Sequence, residues 1–261
     1  MPATDLTLIT EAAYKAAEIA LSYWKTDQRV DHKDGGSPVS EGDFAVDAYL
    51  RESLLAARPD YGWLSEETED DKSRLVKDRV FIVDPIDGTR AYVAGENTWA
   101  VSIAVVENGR PIAGVVYLPV REKLYTAARG QGAHLNSVPI QSGSRADADG
   151  ATVLAARQAL DAKWWADTPP DMKRHWRPSL AYRFCLVAED RFDSVLTIKD
   201  AYEWDIAAGI LIADEAGATT TDRNGALIGF NAPTPKALGV FTAPDRLHNR
   251  LITLYTGASA R

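Results

Sequence analysis

Apolar residues recur at helical spacing near the start of the chain, at Leu6, Ile9, Ala13, Ala16, Ala17, Ala20 and Trp24, and predict an amphipathic helix. The small, polar run Asp34-Gly35-Gly36-Ser37-Pro38 reads as a loop. A second helix is expected from about Ser40 to Ala57, with Val46, Tyr49, Leu50 and Leu54 on one face and Pro59 just past its end. Gly62-Trp63-Leu64-Ser65 is short and extended, and delivers Glu66 and Glu67 at its end. Unbroken β-branched and aromatic runs then predict strands at Val80 to Val83, Trp99 to Glu107 and Pro111 to Leu118. Asn108-Gly109 is a hairpin signal between the last two. Weaker strands follow at Leu124 to Ala127 and Ala133 to Leu135.

The small, polar stretch Ser142 to Gly150 reads as a linker, and beyond it helices and strands alternate. Strands are expected at Thr152 to Ala155, Phe192 to Ile198, Ala218 to Thr221 and Leu238 to Thr242. Helices are expected at Ser179 to Ala188, Trp204 to Ala216 and Asp245 to Tyr255. Two helices followed by antiparallel strands make an α+β pattern, and the later alternation an α/β one. The expectation is an α+β domain over residues 1–142 and an α/β domain over 143–261.

Composition narrows the partners. With 46% hydrophobic and 25% charged residues in 261, a sizeable core is available. The net charge of −8 argues against a nucleic-acid polymer as partner. It leaves a small anion open, because a bound cation reverses the sign of a site locally. Cys185 is the single cysteine, which excludes an intrachain disulfide and points to a reducing compartment. Met1 to Leu8 lacks the basic and apolar regions of a signal peptide. The longest apolar stretch, Ile206 to Ala213, is too short to span a membrane. A cytoplasmic protein without a membrane partner is expected.

The chemistry concentrates in Asp84-Pro85-Ile86-Asp87-Gly88-Thr89, directly after the Val80 to Val83 run. Pro85 cannot donate to a sheet ladder, so the strand is expected to stop at Asp84. Two carboxylates on a tight turn beside the small Gly88 and Thr89 suit a divalent ion holding a phosphate, with the anion on backbone amides. Carboxylate and carbonyl oxygens are the donors Mg²⁺ takes. Asp43, Glu66 and Asp205 are the other acidic positions that stand out. Asp43 has a second account, since Ser40-x-x-Asp43 resembles a capping box. Asp205 also complements the dipole of the helix it begins.

Rival sites fail. Pro85, Ile86 and Gly95 break the EF-hand pattern. His32, His134, His175 and His248 are scattered, which leaves zinc without a ligand set. No Walker loop or nucleophile elbow occurs. Gly130-x-Gly132 lacks the third glycine of a dinucleotide loop and reads as a hairpin corner.

Four blocks in order resemble the inositol monophosphatase-like metal-dependent phosphatases. Phe81-Ile82-Val83-Asp84-Pro85-Ile86-Asp87-Gly88-Thr89 is similar to the family's first signature. Trp204-Asp205-Ile206-Ala207-Ala208-Gly209, continuing to Glu215-Ala216-Gly217-Ala218, is similar to its second. Ser37-Pro38-Val39-Ser40-x-x-Asp43 and Leu64-Ser65-Glu66-Glu67 fall where the family carries related segments. The resemblance implies a layered αβαβα sandwich with the site between two domains. It implies one Mg²⁺ on Glu66, Asp84 and the Ile86 carbonyl, a second on Asp84, Asp87 and Asp205, and a looser third near Glu66. Asp87, Gly88, Thr89 and Asp205 would bind substrate, and Thr89 helped by Asp43, with Glu66, would carry the attack of water. Physics supports the cations: unit charges at ~4 Å repel by about 4 kcal/mol at an effective dielectric near 20. Inhibition by lithium is expected, as in relatives, and the subunit would be a monomer or homodimer.

For the substrate, Lys33 with Ser37-Pro38-Val39, Phe184-Cys185-Leu186-Val187-Ala188-Glu189 and Glu203-Trp204-Asp205 look most like the 3′(2′),5′-bisphosphate nucleotidases. The expected substrate is adenosine 3′,5′-bisphosphate. Inositol monophosphatases carry an acidic residue ahead of the Trp-Asp pair, where this chain has Val195-Leu196-Thr197-Ile198, with Asp200 and Glu203 nearby. Inositol monophosphatase, then histidinol phosphatase, are the alternatives, with a non-catalytic binding protein behind them. Pro178-Ser179 departs from the Gly-Ser or Gly-Thr usual ahead of that helix in the family, and Ser179 as a simple helix cap is the plainer reading.

Overall fold

The structure, a computed structural model, describes residues 2–33 and 35–255. Met1 and Asp34, the latter part of the expected loop, lie outside the described residues, as do residues 256–261. The first half comprises α1 (Pro2–Tyr23), β1 (Val30–His32), β2 (Pro38–Ser40), α2 (Glu41–Ala57), β3 (Gly62–Ser65), β4 (Arg79–Asp87), α3 (Thr89–Val93), β5 (Ala100–Glu107), β6 (Arg110–Leu118), β7 (Lys123–Ala128), β8 (Ala133–Leu135) and β9 (Val138–Ile140). The second comprises β10 (Thr152–Ala155), β11 (Lys173–His175), α4 (Leu180–Ala188), β12 (Ser194–Thr197), β13 (Ala201–Tyr202), α5 (Glu203–Glu215), β14 (Ala218–Thr221), β15 (Lys236–Ala237), β16 (Val240–Pro244) and α6 (Asp245–Leu254).

Strands β3 to β9 form a seven-stranded sheet in chain order, parallel only between β3 and β4. Alternation along its strands sorts the core. Phe81, Val83, Val101, Ile103 and Val105 face α1 and α2, packing on Ile9, Ala13, Ala16, Val46 and Leu50. Val80, Ile82, Ala104 and Val106 face the opposite way, onto α4 and α5. A five-stranded mixed sheet, in the order β11-β10-β12-β16-β14, covers the other side of those helices. Helix α6 closes its outer face through Leu247 and Leu251. The layers therefore run α, β, α, β, α.

Helix α5 is buried nearly all round, from Ile206 to Ala213, as a helix between two sheets must be. Gly209 lets α4 approach it: a Cβ there would stand 2.7 Å from Phe184 Cδ2. The irregular stretch 142–150 carries the chain from one sheet to the other. It is held in place, with the Ser142 amide donating to the Ala216 carbonyl at 2.8 Å and that of Gly150 to Asp171 at 2.7 Å.

Two expectations about strands are corrected. Strand β4 does not stop at Asp84 but runs through Pro85 to Asp87. Its pairing with β5 steps from Asp84↔Ser102 to Asp87↔Ala100, three residues against two, so a bulge absorbs the proline. The expected strand from Leu238 to Thr242 is interrupted by Gly239 at φ +69, which separates β15 from β16. Among the described residues, no helix is long and apolar enough to cross a membrane.

Candidate active site

The end of β3, the bulge of β4, the short helix α3 and the start of α5 meet at one cleft of about 420 Å³. Glu66, Asp84, Asp87, Gly88, Thr89 and Asp205 all line it. The bulge explains how Asp84 and Asp87 share it, because residues three apart on a regular strand face opposite sides. One extra residue restores Asp87 to the side of Asp84. One oxygen each of Glu66, Asp84 and Asp205 lies within 4.8 Å of the others. No other group of metal-ligating side chains of this kind occurs among the described residues.

The electrostatics are those of crowded anions. Burial first, then the charges of Glu66, Asp87 and Asp205, push the Asp84 carboxyl well above the usual carboxylate range. Burial, then Asp87 and Glu66, do the same to Asp205. Lys33 is the local counter-charge, with its Nζ 2.8 Å from Glu66 Oε1 and 2.7 Å from Glu67 Oε1. Burial still lifts Glu67 to about 7.

Asp87 points differently from its three neighbours. Its Oδ2 accepts the Ser179 hydroxyl at 2.5 Å and the Ala181 amide at 2.6 Å, and its Oδ1 accepts the Leu180 amide at 3.1 Å. These are donors of the α4 N-terminus, where a carboxylate is electrostatically favoured. Burial outweighs those bonds and raises Asp87 to about 6. Ser179 also caps α4, accepting the Tyr182 amide at 3.0 Å, so the cap reading holds and is incomplete. Gly88 makes the junction possible: it has φ +99, and a Cβ there would crowd the Ser179 nitrogen at 3.3 Å.

Asp43 closes the capping box of α2, with Oδ2 accepting the Ser40 amide at 2.8 Å and hydroxyl at 2.6 Å. Its Oδ1 remains for Thr89 Oγ1 at 3.2 Å, which also reaches the Ile86 carbonyl at 3.1 Å. The two accounts of Asp43 are thus compatible, one oxygen for each. Burial raises it to about 6 against the Ser40 bonds.

Sequence reasoning missed the cleft's wall. Trp176, Tyr202 and Trp204 line it, and the last two stack with centroids 4.5 Å apart at 8°. Arg183 is buried beneath Trp176, its guanidinium 3.7 Å from the ring centroid. Burial lowers it to about 10, opposed by Asp87 and Asp205. Glu203, considered as an acidic partner for substrate, is committed to the Asn231 and Ala232 amides at 2.7 and 2.9 Å. Asp200 lies 3.7 Å from Arg223.

Comparison with known proteins agrees with this geometry. Residues 2–258 match the model of the inositol monophosphatase family. An inositol-1-monophosphatase of Rhizobium meliloti is 32% identical over 84% of this chain and 86% of its own. A histidinol-phosphatase of Chlorobaculum parvum is 33% identical over 85% of this chain and 86% of its own. Among solved structures, extragenic suppressor protein suhB from Bartonella henselae superposes with a TM-score of 0.81 at 26% identity, covering 96% of this chain and 97% of that one. The chain belongs to the inositol monophosphatase family of metal-dependent phosphatases.

Proposed function

We propose that this phosphatase uses Mg²⁺ to hydrolyse a small phosphate monoester whose organic part carries a flat ring, with adenosine 3′,5′-bisphosphate as its substrate. The observation that carries the reading is three carboxylate oxygens within 4.8 Å of one another on the floor of an aromatic-walled cleft. The donors fit the ion: all are oxygens, and their mutual repulsion is what a divalent cation relieves. Glu66, Asp84 and the Ile86 carbonyl would hold one ion, and Asp84, Asp87 and Asp205 a second. Asp87 has capacity for this, because a carboxylate offers about four acceptor positions and α4 uses three. A third ion near Glu66 would compete with the Lys33 ammonium already there. Bound ions supply Lewis-acid stabilisation of the entering and leaving oxygens and make a water more nucleophilic.

The chain's own residues position and orient. First-turn amides of a helix have no intrahelical acceptor, so those at Gly88 and Thr89 are available to phosphate oxygens. The Thr89 hydroxyl has one hydrogen and two acceptors in reach. Were the Ile86 carbonyl to hold an ion, that hydrogen would go to Asp43, whose Oδ1 is 3.2 Å away. Thr89 Oγ1 is then left as an acceptor that orients the attacking water, beside Glu66.

Trp176, with Arg183 on one face, and the stacked pair Tyr202 and Trp204 line the cleft, and this aromatic surface favours a nucleobase over a polyol as leaving group. An inositol ring would need acidic partners; residues 195–198 supply none, and Glu203 is occupied. Histidinol phosphate is the second reading, because its imidazole also stacks. The test is a side-by-side measurement of kcat/KM on adenosine 3′,5′-bisphosphate, inositol 1-phosphate and histidinol phosphate with Mg²⁺. The nucleotide is expected to lead by at least about tenfold, and a lead for inositol 1-phosphate overturns the reading.

A further inference from the structure

A second cavity, about 720 Å³, adjoins the catalytic cleft and shares Arg90, Trp176 and Asp205 with it. Its lining departs from the rest of this acidic protein. Arg90, Lys163, Arg183 and Lys199 all contribute to it, against Asp200 and the Asp205 already assigned to the ion site. Asp200 is itself faced by Arg223 at 3.7 Å.

None of the four cations has an ion-pair partner among the described residues. Arg183 is the informative one, because it is 5% exposed. It donates to the Arg177 carbonyl at 2.7 Å and the Pro178 carbonyl at 3.4 Å, and lies flat on Trp176. Carbonyls satisfy its hydrogens, and Asp87 and Asp205 offset part of its charge without pairing with it directly, which leaves a buried guanidinium with capacity for a further anion. The Thr197 hydroxyl, in the same lining, is buried with no hydrogen-bond partner. Cations outside ion pairs and an unused hydroxyl lining one cavity describe a receptor for an anion.

We infer that this second cavity receives a further phosphate of the substrate, held by Arg183, Lys199 and Lys163 with Thr197 as an added donor. The inference rests on the phosphatase reading and deepens it. The scissile phosphate sits at the carboxylate cluster, the ring lies against Trp176, and the second phosphate extends past Asp205 into the basic cavity. Selectivity for a bisphosphate over a monophosphate then arises outside the catalytic cluster, because charge-assisted contacts to the second group are made only by the bisphosphate.

The test is a ratio, measured on the full chain with Mg²⁺. kcat/KM is determined for adenosine 3′,5′-bisphosphate and adenosine 3′-monophosphate in the wild type and in Lys163→Ala/Lys199→Ala, both exposed positions. The wild type is expected to favour the bisphosphate at least about tenfold. The double variant should cut that preference about tenfold through KM, and Lys163→Arg/Lys199→Arg should restore it. A wild-type ratio near one, or a ratio the variant leaves unchanged, overturns the inference while hydrolysis of the nucleotides leaves the substrate reading standing. If neither nucleotide turns over, the nucleotide reading has failed. The same ratio is then taken with inositol 1,4-bisphosphate against inositol 1-phosphate, where a fall in the variant supports the basic cavity and no change overturns it.

Discussion

The Ser179 hydroxyl donates to the Asp87 carboxylate at 2.5 Å, joining the end of β4 to the start of α4 across 92 residues of chain. Catalytic floor and helical layer are thereby fixed to each other by a residue of the site. Ser179→Ala removes this bond and the cap on Tyr182 together. A loss of about 1–2 kcal/mol is expected, a fall in Tm of roughly 2–6 °C. Calorimetry checks it, and an unchanged Tm would mean the junction carries no stability.

Asp87→Asn keeps the shape and removes the charge. Turnover should fall by about 10³-fold or more, since the second ion would lose a charged ligand. The protein should remain folded by circular dichroism, with weaker Mg²⁺ binding in titration calorimetry. Activity close to wild type would count against Asp87 as a ligand.

Thr89→Ala isolates the orientation of water. The Thr89 oxygen lies between Asp43 Oδ1 and the Ile86 carbonyl and is not itself charged. kcat is expected to fall about 10²-fold with KM little changed. A change confined to KM would assign Thr89 to substrate binding instead.

The acidic cluster sets the pH dependence of the ion-free protein. Asp43 and Asp87 titrate at about 6 when folded, against about 4 when unfolded. Between those values the folded chain binds more protons than the unfolded one, so stability falls as pH rises from about 4 to about 6. Glu67 and Asp214, raised by burial to about 7, extend the fall upward. Asp70, lowered by Arg74 and Lys72, acts with the opposite sign and only below about pH 4. Urea denaturation in chelator should show the decline, and saturating Mg²⁺ should reduce it by compensating Asp84, Asp87 and Asp205. A flat profile in chelator would contradict the crowding.

Lithium is expected to inhibit by taking the place of Mg²⁺ at the carboxylates, at tens of millimolar as an order of magnitude. Steady-state phosphate release at fixed Mg²⁺ checks this. Full activity at that level would count against lithium taking the place of Mg²⁺ at these carboxylates.

Long periodic segments were legible from the residues alone: the apolar faces of α1 and α2, the unbroken runs of β4 to β6, and the apolar stretch Ile206 to Ala213 of α5 each state their own surroundings. Asp84 and Asp87 were legible as a pair because Gly-Thr beside two aspartates has few other uses, whereas roles for Asp43, Glu66 and Asp205 came only with the family resemblance. Pairs and triplets such as β1, β2, β9, β11, β13 and β15 were not, since two or three residues carry no period. Pro85 misled because the rule against a proline in a strand is a rule about regular pairing, and a bulge suspends it. Ser179 with Asp87 and Glu203 with Asn231 were out of reach as well. Each is a long-range contact between a side chain and a loop or helix end, invisible to local patterns.

The bulge in β4 also makes the spacing of the two aspartates a matter of odd and even. Asp84 and Asp87 reach the cleft together because one residue is surplus to the ladder. Deleting the surplus residue would leave the carboxylates two apart on a regular ladder, still on one face, and would straighten the chain between them. Replacing Pro85 leaves the count intact. What the surplus residue supplies, then, is the bend between the carboxylates more than the face they share.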